Sequence, residues 1–262
     1  MVVRDARLRS PTLRRMCMRL RWMLWTPRDT PSWPARRWAM LIAAVVTAVA
    51  VAVGVDGHRA GPAIDPGMRT MAGEAAVSLA AIPVSAGRTD REDYDRSAFG
   101  SAWSDAASVP GSGNGCDTRN DVLARDLRDV SAGPVSSCPR AVLAGELRSP
   151  YTGDFVVFRR DRSAAAVQID HIVPLSYAWD MGAWSWTAAR RLDFANDPAN
   201  LVAVDGHSNQ DKSDSEPARW MPPATGFWCQ YAIQFVMVTA AYGLAIDEPS
   251  RRVLSEALRC GG

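Results

Sequence analysis

The feature that most limits what this chain can fold into is an apolar run of eighteen residues, Trp38 to Val55, broken only by one Thr and one Gly. That length is at the short end for a transmembrane helix and long for the core of a signal peptide. In front of it, residues 1–37 carry ten Arg against two Asp, a net of +8. By the positive-inside rule these arginines keep the N-terminus in the cytoplasm. Everything beyond Val55 is therefore expected to be exported, either anchored in the membrane through 38–55 or secreted after cleavage. The sequence divides into a basic leader (1–37), a transmembrane or signal segment (38–55), a flexible linker rich in Gly, Ala, Pro and Ser (56–90), and a globular part (91–262) of a size suited to one domain.

Cysteine usage agrees with export. Cys17 lies in the leader, and Cys116, Cys138, Cys229 and Cys260 follow the apolar run. An even set outside the membrane implies two disulfides. Spacing leaves the connectivity open, although Cys116–Cys138 and Cys229–Cys260 would each close a short loop. Zinc is disfavoured because no pair has C-x-x-C spacing.

The periodicity predicts an α+β fold with high helical content. Tyr94, Phe99 and Trp103 suggest one amphipathic helix. Val122, Leu123, Leu127 and Val130 suggest another, capped at Asp117 or Thr118. Ala141–Leu147 and Phe155–Phe158 read as strands around a turn at Pro150-Tyr151-Thr152-Gly153. Trp228–Leu244 reads as a long apolar helix and Glu248–Leu258 as a final amphipathic one. Between these, Ala166–Pro174 alternates around β-branched residues and stops at a proline, a short strand ending near Asp170-His171. Asn200–Val204 is a second strand, followed by Asp205-Gly206 as a turn and then a helix capped by Ser208 or Asn209 and carrying Lys212.

This last ββα stretch holds most of the chemistry. Two of the three histidines, His171 and His207, fall within it, and Lys212 is the one lysine among thirty basic residues. Asp170 and Asn209, brought across the unit, would give hard oxygen ligands suited to Mg²⁺, with Mn²⁺ as the alternative. His171 beside them would deprotonate an attacking water, and Lys212 would neutralise charge growing on a phosphoryl group. His207 is two residues from Asn209, so it does not share a helix face with it.

The order Asp170-His171-Ile172-Val173-Pro174, then Asn200, then Asn209-Gln210-Asp211-Lys212 resembles the HNH (ββα-metal) endonucleases. Within that family it is similar to the HNH domain of the RNA-guided CRISPR endonuclease and to the C-terminal domain of modification-dependent restriction endonucleases. Residues 92–260 look like secreted or membrane-anchored actinobacterial HNH proteins, with further marks at Gly115–Leu123, Tyr151-Thr152-Gly153, Phe194–Pro198 and Trp220–Pro223. The resemblance implies Asp170 and Asn209 as metal ligands, His171 as general base, and Asn200 as the residue that holds the base-bearing loop.

Charge tempers the reading of the substrate. Residues 38–262 carry 20 Arg+Lys against 26 Asp+Glu, a net of −6, so the basic stripe of a tight DNA binder is absent. Arg119, Arg190 and Arg191 are the candidate cations for a local substrate patch. The expected function is metal-dependent hydrolysis of nucleic acid, DNA favoured over RNA, with weak, salt-sensitive and sequence-nonspecific binding. The alternative is a catalytically silent exported module that binds nucleic acid or envelope. No protein partner is implied.

Overall fold

A computed structural model describes residues 65–136 and 138–260. The leader, the apolar run and residues 56–64 lie outside this range. Among the described residues no helix is long and apolar enough to cross a membrane.

Helix α1 (Pro66–Ala81) starts at Asp65, whose side chain accepts from the N–H groups of Gly67 and Met68, with Pro66 in the first turn. The short strand β1 (Val84–Ser85) follows. A 3-10 turn, Arg96–Phe99, then stands where a helix was expected from Tyr94, Phe99 and Trp103. That helix does not form because Gly100 (φ 84°) and Trp103 (φ 57°) turn the chain through the left-handed region. Tyr94 and Phe99 still pack on one partner, Trp179.

Helix α2 (Thr118–Asp126) is capped by Asp117, whose carboxylate accepts from the Asn120 N–H. It stops before Leu127, and Val130 lies on strand β2 (Arg128–Val135) rather than on a helix. Strands β3 (Cys138–Arg148) and β4 (Phe155–Arg159) complete an antiparallel sheet ordered β2-β3-β4. Its inner side packs Leu147 and Phe158 against Val122, Leu123 and Leu127.

Strand β5 (Val167–His171), helices α3 (Leu175–Asp180) and α4 (Ala188–Asn196), strand β6 (Leu201–Asp205) and helix α5 (Gly206–Lys212) follow in order. β5 and β6 pair antiparallel, with Asp170 opposite Val202 and His171 opposite Leu201. Strand alternation divides this ribbon between two cores. Val167, Ile169, Leu201 and Ala203 face the β2–β4 sheet, whereas Val204 joins the helices. Helix α6 (Trp228–Ala241), strand β7 (Ile246–Asp247) and helix α7 (Glu248–Ala257) close the fold, and β7 pairs parallel with β1.

The flexible linker expected over 56–90 therefore does not extend through its second half. Ala72, Ala75 and Leu79 of α1 are buried in the same core as Ala232 and Phe235 of α6. The Arg88 side chain is enclosed as well, 7% exposed, donating to Asp180 at 2.6 Å and to Glu216 at 3.2 Å. The α+β class is as expected, but the β2–β4 sheet is a larger element than a mostly helical domain implies.

Both disulfides left open by the spacing join sequence neighbours, Cys116–Cys138 and Cys229–Cys260, with separations of 22 and 31 residues. The first ties the entry of α2 to β3, and the second ties the start of α6 to the segment after α7. Loops of this size are worth about 3 kcal/mol each in the chain-entropy account. Reduction with dithiothreitol is expected to lower the thermal midpoint followed by circular dichroism by roughly 10 °C or more, and an unchanged midpoint would show that the bridges do not stabilise the domain.

Candidate active site

Asp170 and His171 end β5, and the turn beyond them is fixed from the 3-10 turn Pro198–Asn200 that leads into β6. The completely buried Asn200 accepts from the Val173 N–H at 2.8 Å through Oδ1 and donates from Nδ2 to the Val173 carbonyl at 3.2 Å. Its own carbonyl accepts from the Ile172 N–H at 2.8 Å. Asn200→Ala would leave both Val173 groups buried and unsatisfied, and it is expected to cost about 2–3 kcal/mol in urea unfolding. A cost under half of that would mean water replaces the clamp.

Helix α5 is set against β5 by Asp205, not by Ser208 or Asn209. The Asp205 Oδ1 accepts from the Ser208 N–H and hydroxyl, both at 2.8 Å, and Oδ2 accepts from the Ser149 hydroxyl at 2.6 Å. Burial opposes its ionisation, but these donors hold its pKa below the ordinary carboxylate value. Asp205-Gly206 is thus the start of a helix rather than a turn. A Cβ at Gly206 would lie 2.5 Å from the Ala165 carbonyl oxygen, so only glycine allows this close approach.

The approach brings Asn209 and Lys212 to β5. Asn209 Nδ2 donates to Gln168 Oε1 at 2.7 Å. Lys212 is completely buried, and its Nζ lies 3.1 and 2.9 Å from the two oxygens of Asp170 and 2.8 Å from the His171 carbonyl. The phosphate contact expected of Lys212 is therefore not what the fold provides, because its ammonium is spent on Asp170 and the strand end. Tyr151, from the β3–β4 turn, donates its hydroxyl to Asp170 Oδ2. Burial first, and then the Asp170 charge, push the Tyr151 phenol well above its ordinary pKa, so it remains a donor.

His171 is buried, and its Nε2 lies 2.9 Å from the Ala195 carbonyl of α4. A carbonyl only accepts, so Nε2 carries the proton and Nδ1 keeps the lone pair. Burial is the main cause that lowers its pKa to about 4. Trp103 stacks on the imidazole with centroids 5.7 Å apart and planes 10° apart.

Asp170, His171 and Asn209 line one polar cavity of about 330 Å³ together with Arg96, Ser176 and Asp214. A carboxylate offers about four lone-pair sites, and Lys212 and Tyr151 occupy three on Asp170, leaving one on Oδ1. The Asn209 amide nitrogen is committed to Gln168, and its oxygen makes no hydrogen bond among the described residues. Two hard oxygens in one cavity fit Mg²⁺ or Mn²⁺, which take most of their remaining ligands from water and substrate phosphate. Among the described residues no group of three or more His, Cys, Asp or Glu could hold a metal ion.

The three expected substrate arginines are not brought to this cavity. Arg119 Nη2 donates to the Ala164 and Val167 carbonyls, both at 3.0 Å, and burial lowers its pKa. Arg190 donates to the Tyr242 carbonyl at 2.7 Å and stacks over Trp186. Arg191 donates to the Ala98 carbonyl at 2.8 Å and lies over Trp179. Each guanidinium braces backbone carbonyls instead of facing the cavity. The cation that lines the cavity is Arg96, on the 3-10 turn, which no local signal distinguished. His207 is exposed and lies 3.6 Å from Asp211, apart from the site as expected.

A family model described as GmrSD restriction endonucleases, C-terminal domain, matches residues 117–256. The chain is also similar to an uncharacterized secreted protein of Arthroderma benhamiae, 39% identical over 145 residues that make up 55% of this chain and 67% of that protein. No solved structure matches. The match to the family model covers more than half of the sequence and runs from the start of α2 into α7, including the Asp170–Lys212 unit, so the chain belongs to the nuclease-related family of GmrSD restriction endonuclease C-terminal domains.

Proposed function

We propose that this protein is an exported HNH-type endonuclease that hydrolyses phosphodiesters of nucleic acid, DNA favoured over RNA, with low sequence specificity. The observation that carries the reading is one polar cavity lined by Asp170, His171 and Asn209, with an imidazole whose Nδ1 is left as acceptor. Asp170 Oδ1 and the Asn209 amide oxygen would hold Mg²⁺ or Mn²⁺. The chemistry such an ion supplies when bound is polarisation of the phosphate and stabilisation of the leaving oxygen.

The chain's own residues do the rest. His171 takes a proton from the attacking water at Nδ1, and the Ala195 carbonyl fixes the ring direction through Nε2. Asn200 keeps the turn after His171 from moving. Lys212 and Tyr151 act through Asp170 by holding its carboxylate in one orientation. Arg96 offers a positive charge at the cavity wall for the flanking strand.

Export is supported by the two disulfides and by a relative described as secreted. The 38–55 segment is the proposed membrane anchor or signal. The net −6 of residues 38–262 supports weak binding, and contact of Arg96 with phosphate would make that binding fall with salt.

The test is plasmid cleavage by the full chain, disulfides intact, with Mg²⁺ or Mn²⁺. Nicking or linearisation that EDTA abolishes is the expected result. Absence of cleavage on plasmid, single-stranded DNA and RNA with either metal would overturn the reading and favour a silent binding module.

A further inference from the structure

His171 separates two cavities of opposite character. On one side is the polar cavity with Asp170 and Asn209. On the other is an apolar one of about 240 Å³, lined by Phe99, Ala102, Trp103 and Leu175 together with His171 and Arg96. Arg96, His171 and Leu175 are walls of both.

We infer that the apolar cavity is a subsite for one unstacked nucleobase adjacent to the phosphodiester to be cut. A nucleic-acid strand alternates an anionic phosphate with a flat, weakly polar ring, and the paired cavities present the complementary order across their shared wall. The volume is below that of pockets for drug-sized ligands, about 300–1,000 Å³, so it suits one small planar group rather than a stacked pair. Trp103, which is partly exposed, supplies the aromatic surface on which bases of any identity bind, and the buried Phe99 adds apolar wall. Arg96, shared between the cavities, can meet the phosphate that links base and cut site.

A base within a duplex reaches such a subsite only after leaving its stack. The preferred substrate is therefore single-stranded or locally unpaired. Strandedness, rather than base sequence, is what this site selects. The placement of the base beside the cut rests on the hydrolytic reading above.

Binding separates the two ideas. The full chain is held in EDTA, which blocks hydrolysis, and fluorescence anisotropy is followed with four probes of equal length. These are oligothymidylate, oligouridylate, a DNA duplex, and an abasic deoxyribose-phosphate strand of equal charge. Oligothymidylate is expected to bind at least about fivefold tighter than the abasic strand, as one stacked base would give, and tighter than the duplex. Ala102→Leu, which narrows the cavity from its wall, should bring oligothymidylate close to the abasic value. Trp103→Ala should do the same, and Ala102→Leu guards against a folding defect at Trp103.

Equal binding of oligothymidylate and the abasic strand would overturn the subsite, as would full retention of the preference in Ala102→Leu. Stronger binding of oligouridylate would leave the subsite standing and assign its base to RNA. Base preference without cleavage of any substrate would sink the hydrolytic reading alone. Cleavage without base preference would sink the subsite alone.

Discussion

His171→Ala is expected to slow plasmid nicking by about 10²–10⁴-fold, the usual worth of a positioned general base. The other polar side chains of the cavity are less suited to taking the proton. Asp170 is engaged by Lys212 and Tyr151, Asn209 has no basic atom, and Asp214 is held by Ser176 at 2.9 Å and Arg88 at 3.3 Å. The variant also loses the contact with Ala195 and the stack on Trp103, so part of any rate loss could come from folding. Unfolding midpoints measured alongside the rates separate the two. A variant that is folded at the assay temperature yet nicks within threefold of the parent rate would remove His171 from the chemistry.

Local signals in the sequence account for the elements that bear the site. The alternation before Pro174 and the Asn200–Val204 run predict β5 and β6, and Lys212 does lie on the helix that follows. What local reasoning misses depends on contacts between distant residues or on small side chains. Helix α1 buries Ala72, Ala75 and Leu79, and a stripe made mostly of alanine is indistinguishable by composition from a linker. Its start was nonetheless written in Asp65-Pro66, a capping residue followed by a first-turn proline. Tyr151 reaches Asp170 from a turn 19 residues earlier, and no periodicity reports that. Arginines read as substrate cations proved to donate to backbone carbonyls of distant segments, which local sequence does not report. Asp205-Gly206 looks like a hairpin turn, yet Ser149 and Ser208 make it a helix cap.

Lys212→Met is expected to destabilise the fold by about 3–5 kcal/mol, the cost of leaving one charge of a buried pair without its partner. Methionine keeps the length and apolar stem of lysine, so the loss reports the ammonium rather than a cavity. That is a large share of the 5–15 kcal/mol typical of a domain, and the shift in urea midpoint should be plain. Lys212→Met with Asp170→Asn should cost less than the sum of the single changes, because the uncompensated carboxylate disappears while Tyr151 retains an acceptor. Lys212→Arg should not rescue stability, since a planar fork does not fit a completely enclosed site built around three oxygens at 2.8–3.1 Å. This bears on why a chain with thirty basic residues keeps a single lysine, and keeps it here. A lysine acting directly on phosphate would predict the opposite pattern: nicking lost in Lys212→Met with the unfolding midpoint unchanged, and partial rescue by arginine. Unfolding curves for the two single variants and the double variant decide between a residue that touches substrate and one that positions Asp170.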